Sequence, residues 1–187
     1  TNNTAIASHT PDTQAVSGSY RTVQTFGSST GIQIISNRAQ GTSNNTTNAV
    51  AVIETGQSDI ILTCDVNKNS TTVSAGGTGV AFRVSGSTGY FVDYYADNQQ
   101  SGRQILRFVE FNGTPLSNRI DVYFTHSTSQ TYTIKVVLKG SSIKIYVDDI
   151  LYHDIINSTY TGTEHGISVL TTSTNKSWAD TLRIIQN

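Results

Sequence analysis

Residues 131–150, TYTIKVVLKGSSIKIYVDDI, decide the fold class, because apolar and polar side chains alternate along two consecutive runs. A period of two places successive side chains on opposite faces of a β-strand. The residues predicted to face the core are Tyr132, Ile134, Val136, Leu138, Ile143, Ile145 and Val147. The turn at Gly140-Ser141 joins the two runs as an antiparallel hairpin, and Asp148-Asp149 forms the next turn, in which both carboxylates are solvated.

Short apolar runs separated by turn residues continue through the rest of the chain, and none has a helical period. The predicted strands are 20–26, 31–37, 48–54, 58–66, 79–85, 89–96, 103–111, 119–124, 131–139, 142–148, 150–155, 165–171 and 180–186. So many short strands need two sheets, so the prediction is an all-β, two-sheet antiparallel β-sandwich. We expect one domain over 1–187, with 1–18 as an N-terminal arm that packs near the closing strand.

Composition excludes several classes of function. The chain of 187 residues carries 12 Lys and Arg against 13 Asp and Glu, a net charge of −1, so it lacks the basic surface that binds nucleic acid. No apolar run approaches the ~20 residues of a membrane span, so we expect no membrane insertion. Cys64 is the single cysteine and lies in a predicted strand, which indicates a buried, inert thiol.

The hairpin over 80–95 contains the strongest candidate site. Centring its loop on Ser87 places Val84 opposite Tyr90, with the pairs Phe82–Val92 and Val80–Tyr94 following. The other face then collects Ala81, Arg83, Phe91, Asp93 and Tyr95. Aromatic planes stack on sugar rings, and Arg and Asp bind hydroxyls, so this face is a candidate ligand site. The alternative is a cross-strand salt bridge flanked by packed rings.

Trp178 is the sole tryptophan and follows the polar stretch 171–177. Its ring has two alternative roles. It stacks on a ligand, and so joins the candidate binding residues, or it covers the core just before the closing strand.

Several segments resemble one family. Gly79-Val80-Ala81-Phe82-Arg83 followed by Gly89-Tyr90-Phe91-Val92 resembles a hairpin of laminin-G-like jelly rolls in the concanavalin A-like lectin and glucanase superfamily. Residues 132–136 and 143–148 resemble its paired strands, although Asp149 stands where Gly is usual. His165-Gly166-Ile167 and the segment 178–184 resemble its closing strands, and 9–13 resembles a segment that precedes such jelly rolls in bacteriophage tail and virion proteins.

The resemblance implies two curved antiparallel sheets in a jelly roll whose concave face binds ligand. Arg83, Phe91, Asp93 and Tyr95 would lie on that face. Members often hold a structural calcium near the closing strand, and Asp180 is the matching position, with Asp12 a second candidate. No other cofactor is expected.

The glucanases of this superfamily need two closely spaced carboxyl groups on one strand. The three glutamates here are Glu54, Glu110 and Glu164, and none has an acidic residue two positions away. The four histidines also show no zinc-binding spacing. We therefore expect no catalytic residues and no enzymatic activity.

Together these features predict a non-enzymatic module on a virion surface, outside the cell. It would serve as the carbohydrate-binding, host-recognition domain of a phage tail fibre or capsid appendage. Its partners would be host-surface glycan and other virion proteins, and the class is commonly homo-oligomeric, often trimeric. The alternative is a purely structural capsid-decoration or tail protein that binds only other virion chains.

Overall fold

The computed structural model describes residues 4–5, 20–24, 32–36, 38–41, 48–67, 76–97, 103–113, 118–124, 130–170 and 177–187. All regular structure within these ranges is β-strand, which confirms the all-β prediction. The strands are β1 Thr4–Ala5, β2 Arg21–Gln24, β3 Ile32–Ile35, β4 Arg38–Gly41, β5 Asn48–Glu54, β6 Ile60–Asn67, β7 Gly76–Ser85, β8 Thr88–Asp97, β9 Arg103–Asn112, β10 Asn118–Tyr123, β11 Tyr132–Lys139, β12 Ser142–Val147, β13 Ile150–Ile156, β14 Glu164–Leu170 and β15 Trp178–Gln186. No helix long and apolar enough to cross a bilayer occurs among these residues.

The strands form two antiparallel sheets. The eight-stranded sheet has the order β1-β3-β4-β15-β6-β11-β12-β13, and the seven-stranded sheet has the order β10-β9-β8-β7-β14-β5-β2. One cluster of buried side chains, drawn from both sheets, fills the space between them. This arrangement is the predicted two-sheet sandwich.

The hairpin that decided the fold class forms as predicted. β11 pairs with β12 so that Val136 lies opposite Ile145 and Lys139 opposite Ser142. Val136 and Ile145 are fully buried in the core between the sheets, whereas Lys135 on the opposite face is only half-buried. Strand alternation therefore fixes which residues of this sheet face the core and which line its outer face.

Aromatic rings pack the centre of the sandwich. The ring of Tyr90 stacks on Phe108 with centroids 5.4 Å apart, and Phe82 stacks on Tyr90 at 5.6 Å. All three come from neighbouring strands of the seven-stranded sheet and point inward. Burial of side chains of this size stabilises the fold by about 1.5–3 kcal/mol each.

The predicted register of the hairpin over 80–95 is wrong by two residues. Phe82 lies opposite Tyr90 and Val80 opposite Val92, around a two-residue turn at Gly86-Ser87. The register shifts between Phe82 and Ser85, which marks a β-bulge. Arg83, inside the bulge, has a positive φ of 50°, so its side chain leaves the face on which strict alternation had placed it.

Two short strands were not predicted. β4 lies between the predicted strands 31–37 and 48–54, and β1 lies in the predicted N-terminal arm. β1 joins the sheet that contains the closing strand β15, with β3 and β4 between them. Residues 1–3 and 6–18 of the arm lie outside the described residues.

Candidate functional site

The outer face of the seven-stranded sheet, predicted as the ligand face, is apolar and buried. Val50 and Val52 flank the inward-facing Ala51, so they point away from the core between the sheets. With neighbouring strands they form a second buried cluster: Val23, Val50, Val52, Ala81, Val84, Phe91, Val109 and Phe111. Phe91, one of the predicted ligand residues, is fully buried within it.

Asp93 is held by Arg107 of β9, not by Arg83. The Arg107 Nε donates to Asp93 Oδ1 at 2.8 Å and Nη2 donates to Oδ2 at 2.6 Å, and the two side chains are 5% and 0% exposed. Burial alone would lower the pKa of Arg107, but the negative charge of Asp93 and its hydrogen bonds raise it. Asp93 and Phe91 thus belong to the predicted alternative, a cross-strand salt bridge flanked by rings.

Two glycines of β7 allow β8 to approach closely around Asp93. A Cβ added at Gly77 would lie 2.6 Å from Asp93 Oδ2, and one at Gly79 would lie 1.9 Å from the carbonyl oxygen of Val92. Both distances are impossible for a real side chain. Gly77 therefore leaves space for the carboxylate of Asp93, and Gly79 allows the close approach of the β8 backbone.

Arg83 lies apart from the residues with which it was grouped. Its Nε donates to the carbonyl of Ser58 at 3.3 Å, while Nη2 donates to Asp59 Oδ1 at 3.1 Å and to the carbonyl of Gly140 at 2.5 Å. Its side chain is 1% exposed. It therefore joins the β5–β6 and β11–β12 turns at one end of the sandwich, where it stabilises the fold.

His165 completes the contacts around the bulge. Its Nδ1 accepts a hydrogen bond from the backbone N–H of Arg83 at 3.3 Å, and its Nε2 lies 2.8 Å from the carbonyl of Gln57. One nitrogen accepts and the other donates, which is the pattern of a neutral imidazole. Burial is the main cause that lowers the pKa of His165 to about 4.

Tyr95 and Trp178 both lie under arginine side chains. The Arg107 Cζ is 4.3 Å from the centroid of the partly exposed Tyr95 ring. Trp178 is 6% exposed, and Arg38 Cζ stacks 4.0 Å from its ring centroid. The structure therefore favours the packing role for Trp178, because its ring face is already occupied.

The calcium predicted at Asp180 is not supported by the described residues. Asp180 Oδ1 accepts the backbone N–H of Thr181 at 2.8 Å, and Oδ2 lies 3.8 Å from Arg38 Nε. Calcium takes six to eight oxygen ligands, and no group of three or more metal-binding side chains forms within the described ranges. Asp12 lies outside those ranges.

A groove of about 570 Å³ lies on the outer face of the eight-stranded sheet, and sequence analysis missed it. Its lining is polar throughout: Thr63, Asp65, Thr133, Lys135, Asp148, Asp149, Thr181 and Arg183. The side chains come from β6, β11, the β12–β13 turn and β15. Unlike the buried outer face of the other sheet, this surface presents hydroxyl, carboxylate and cationic groups in one concavity.

Strand alternation and one bulge build the groove. Leu62 and Cys64 face the core. Thr63 lies between them and Asp65 follows Cys64, so both point outward and form the floor of the groove. Along β15 the register shifts between Asp180 and Arg183, and Thr181 has a positive φ of 52°. The bulge lies at this edge of the groove, and its residue Thr181 forms part of the lining.

Hydrogen bonds hold the β11 side of the groove. Thr133 Oγ1 donates to Asp65 Oδ1 at 2.7 Å, and the backbone N–H of Thr133 donates to Asp148 Oδ1 at 2.9 Å. Lys135 forms an ion pair with Asp149. The alternation of 131–139 predicts Thr133 and Lys135 on the outer face, but only the tertiary structure shows that β6 lies beside them and β15 one strand further on.

Comparison with known proteins identifies the fold. A carbohydrate binding module, CBM66, from Bacillus subtilis has a TM-score of 0.65 at 18% identity, over 88% of this chain and 94% of that chain. A legume lectin-like domain from Entamoeba histolytica has a TM-score of 0.60 at 13% identity, over 90% of both chains. A putative β-glucanase from Mycobacterium abscessus has a TM-score of 0.54 at 10% identity, over 82% and 78%.

These likenesses establish the class of fold as a lectin-like jelly roll, and at such identities they establish nothing more. No protein-family model and no curated protein sequence matches the chain.

Proposed function

We propose that the chain is a non-enzymatic carbohydrate-binding module that binds glycan through the groove on its eight-stranded sheet. The groove is the observation that carries the proposal. Its volume of about 570 Å³ lies within the ~300–1,000 Å³ typical of ligand pockets, and its donors and acceptors suit a polyhydroxylated ligand. Two of the proteins that share the fold are described as a carbohydrate binding module and a legume lectin-like domain.

Binding without cleavage suits the carboxylates of the groove. Glycoside hydrolysis needs one carboxyl group as acid and a second as nucleophile or base, placed on either side of the scissile bond. Here each of the three carboxylates already has a protein donor: Asp65 from the Thr133 hydroxyl, Asp148 from a backbone N–H and Asp149 from Lys135. These contacts fix the carboxylates as hydrogen-bond acceptors for the ligand.

We place the module on a virion surface, where it recognises host glycan. The resemblance of 9–13 to the segment before phage jelly rolls supports this location. The low content of charged residues, 13%, suits a domain whose partner is a neutral surface. Homo-oligomers and contacts with other virion proteins belong to the same proposal.

One observation favours the second candidate, a purely structural virion protein. The edge strand β13 exposes three large apolar side chains: Ile150 is 61% exposed, Leu151 45% and Ile156 75%. Apolar side chains on an edge strand are suited to contact with another chain.

A glycan array probed with the 187-residue chain tests the proposal. Incubating the protein with each polysaccharide that it binds, and measuring new reducing ends, tests catalysis. We expect saturable binding and no release of reducing ends. Absence of binding to every glycan contradicts the carbohydrate-binding proposal and favours the structural candidate. Release of reducing ends contradicts the proposal that the module is non-enzymatic. Parallel arrays in EDTA and in added calcium test whether a structural calcium contributes to binding.

A further inference from the structure

The groove offers a particular set of unused hydrogen-bonding groups. Of the carboxylates, Asp65 and Asp148 each have one oxygen, Oδ1, bonded to Thr133, and the structure gives no partner within the described residues to the second oxygen of either. Arg183 is exposed and forms no hydrogen bond or ion pair with any described residue. The groove therefore presents two free acceptors and a guanidinium with five free donors.

These groups lie on opposite sides of the groove. In the ladder Arg183 of β15 is opposite Thr63 of β6, which in turn is opposite Lys135 of β11. Two interstrand spacings separate β15 from β11, about 9.6 Å. A ligand lying over β6 can thus contact the guanidinium on one side and the carboxylates on the floor and the β11 side.

The groove carries charges of both signs. Three carboxylates and two cations line it, and the pair Lys135–Asp149 leaves Asp65 and Asp148 against Arg183. A ligand that fills the groove lies against both signs, so the carboxylate of an acidic sugar is repelled where it meets Asp65 and Asp148, and the ammonium of an amino sugar where it meets Arg183. Repulsion of that kind is an effective basis of specificity.

We propose that the groove binds a neutral saccharide, whose hydroxyl groups donate to the free oxygens of Asp65 and Asp148 while Arg183 donates to its hydroxyl or ring oxygens. The inference rests on the proposed function and adds the class of ligand and the residues that recognise it. Carboxylate and guanidinium pairs suit neutral sugars because charge-assisted hydrogen bonds to hydroxyls remain strong without a charge on the ligand.

The test measures binding of the whole chain to neutral, uronic-acid-containing and amino-sugar-containing glycans on one array, with groove variants and a matched control. Arg183→Ala and Asp65→Asn remove one donor and one acceptor. Lys144→Ala is the control, because Lys144 lies on the same outer face but pairs with Asp154 outside the groove. We expect neutral glycans to bind, with affinity at least about tenfold weaker in each groove variant and unchanged in the control.

Thermal unfolding of each variant shows whether it folds, and Arg183→Lys provides a second variant at an exposed position. Lysine keeps the positive charge but lacks the planar guanidinium that donates paired hydrogen bonds, so we expect weaker glycan binding in this variant as well. Glycan binding that is unchanged in Arg183→Ala, Arg183→Lys and Asp65→Asn overturns the inference and leaves the proposed function standing. Groove-dependent binding of only acidic or amino sugars also overturns it. No binding by the unaltered chain overturns both proposals.

Discussion

The outer faces of the two sheets differ although the strands beneath them follow the same alternation. On the seven-stranded sheet the outward side chains are mostly valine and phenylalanine and are fully buried, with the Asp93–Arg107 ion pair among them. On the eight-stranded sheet they are threonine, lysine and aspartate and line an open groove. The first face contributes to stability, and the second is free to bind.

Residue type therefore does not identify a binding face by itself. The arginine, aspartate and aromatic rings that suggested a sugar site lie on the buried face or at the end of the sandwich, where each already has a protein partner. The groove carries plainer residues whose hydrogen-bonding groups are in part unused. Availability of those groups distinguishes a binding residue from a structural one.

The largest expected effect is on the buried ion pair. Arg107→Ala leaves the Asp93 carboxylate buried without its main partner, so we expect a loss of about 3–5 kcal/mol in the free energy of unfolding, measured in denaturant. The double variant Asp93→Leu with Arg107→Met removes both charges and should lose much less. A loss in Arg107→Ala as small as that of Arg183→Ala on the other face would contradict the difference between the faces.

Lowering the pH should destabilise the fold through His165, which binds the backbone of Arg83 and Gln57 in its neutral form. Its folded-state pKa of about 4 lies below its usual 6.5, so the unfolded chain binds the proton more readily. Stability is then fully present above pH 6.5 and is lost as the pH falls towards 4, by about 3 kcal/mol. Burial of the ring is the main cause, the Arg83 charge adds to it, and Glu54 and Glu164 oppose it.

Denaturant unfolding at a series of pH values measures this loss. His165→Gln keeps a donor and an acceptor without a titrating group, so its stability should depend less on pH over the same range. His153, whose pKa is also lowered by burial, remains in that variant and accounts for part of the slope. If the free energy of unfolding depended equally on pH in both proteins, the His165 imidazole would not titrate as the structure indicates.

The same substitution on each outer face tests the comparison most directly. Val109 is fully buried on the seven-stranded sheet, and Val137 is half-buried on the eight-stranded sheet. Val109→Ala should cost about 2 kcal/mol and Val137→Ala less than about 1 kcal/mol, because the first leaves a cavity and the second does not. Equal losses would mean that both faces are packed alike.

The smallest effect is expected at the turn beside the groove. Asp149 has a φ of 65°, and its side chain, 85% exposed, pairs with Lys135. Asp149→Gly relieves the left-handed conformation and removes an exposed ion pair worth about 0–1 kcal/mol. The melting temperature should therefore rise slightly or stay the same, and a clear decrease would assign the ion pair a larger role than its exposure indicates.

The class of fold could be predicted because alternation is a local property. The pattern over 131–150 predicts a hairpin, its turn at Gly140-Ser141 and its buried face, all of which the structure contains. β4 was missed because Arg38-Ala39-Gln40-Gly41 carries little apolar character and becomes a strand by pairing with β3 and β15.

The details of the candidate sites depend on bulges, which leave no local signal. Strict alternation placed Arg83 beside Phe91, but the bulge turns it to the far end of the sandwich. The groove likewise includes Thr181 from the bulge in β15. It also depends on the placement of β15 beside β6, two strands more than 100 positions apart in the sequence. Neither feature follows from the composition of the strands that contain it.

The bulge in β15 also has a consequence for the single thiol. It leaves the carbonyl of Asp180 free to accept the Cys64 S–H at 3.3 Å, and burial raises the pKa of that thiol. Since Thr63 and Asp65 on either side of Cys64 form the groove floor, the sulfur lies directly beneath the proposed ligand. A thiol reagent can reach it only when β6 separates from its neighbours. The rate at which the reagent labels Cys64 therefore reports how often the sandwich opens, and a ligand that spans the groove should lower that rate.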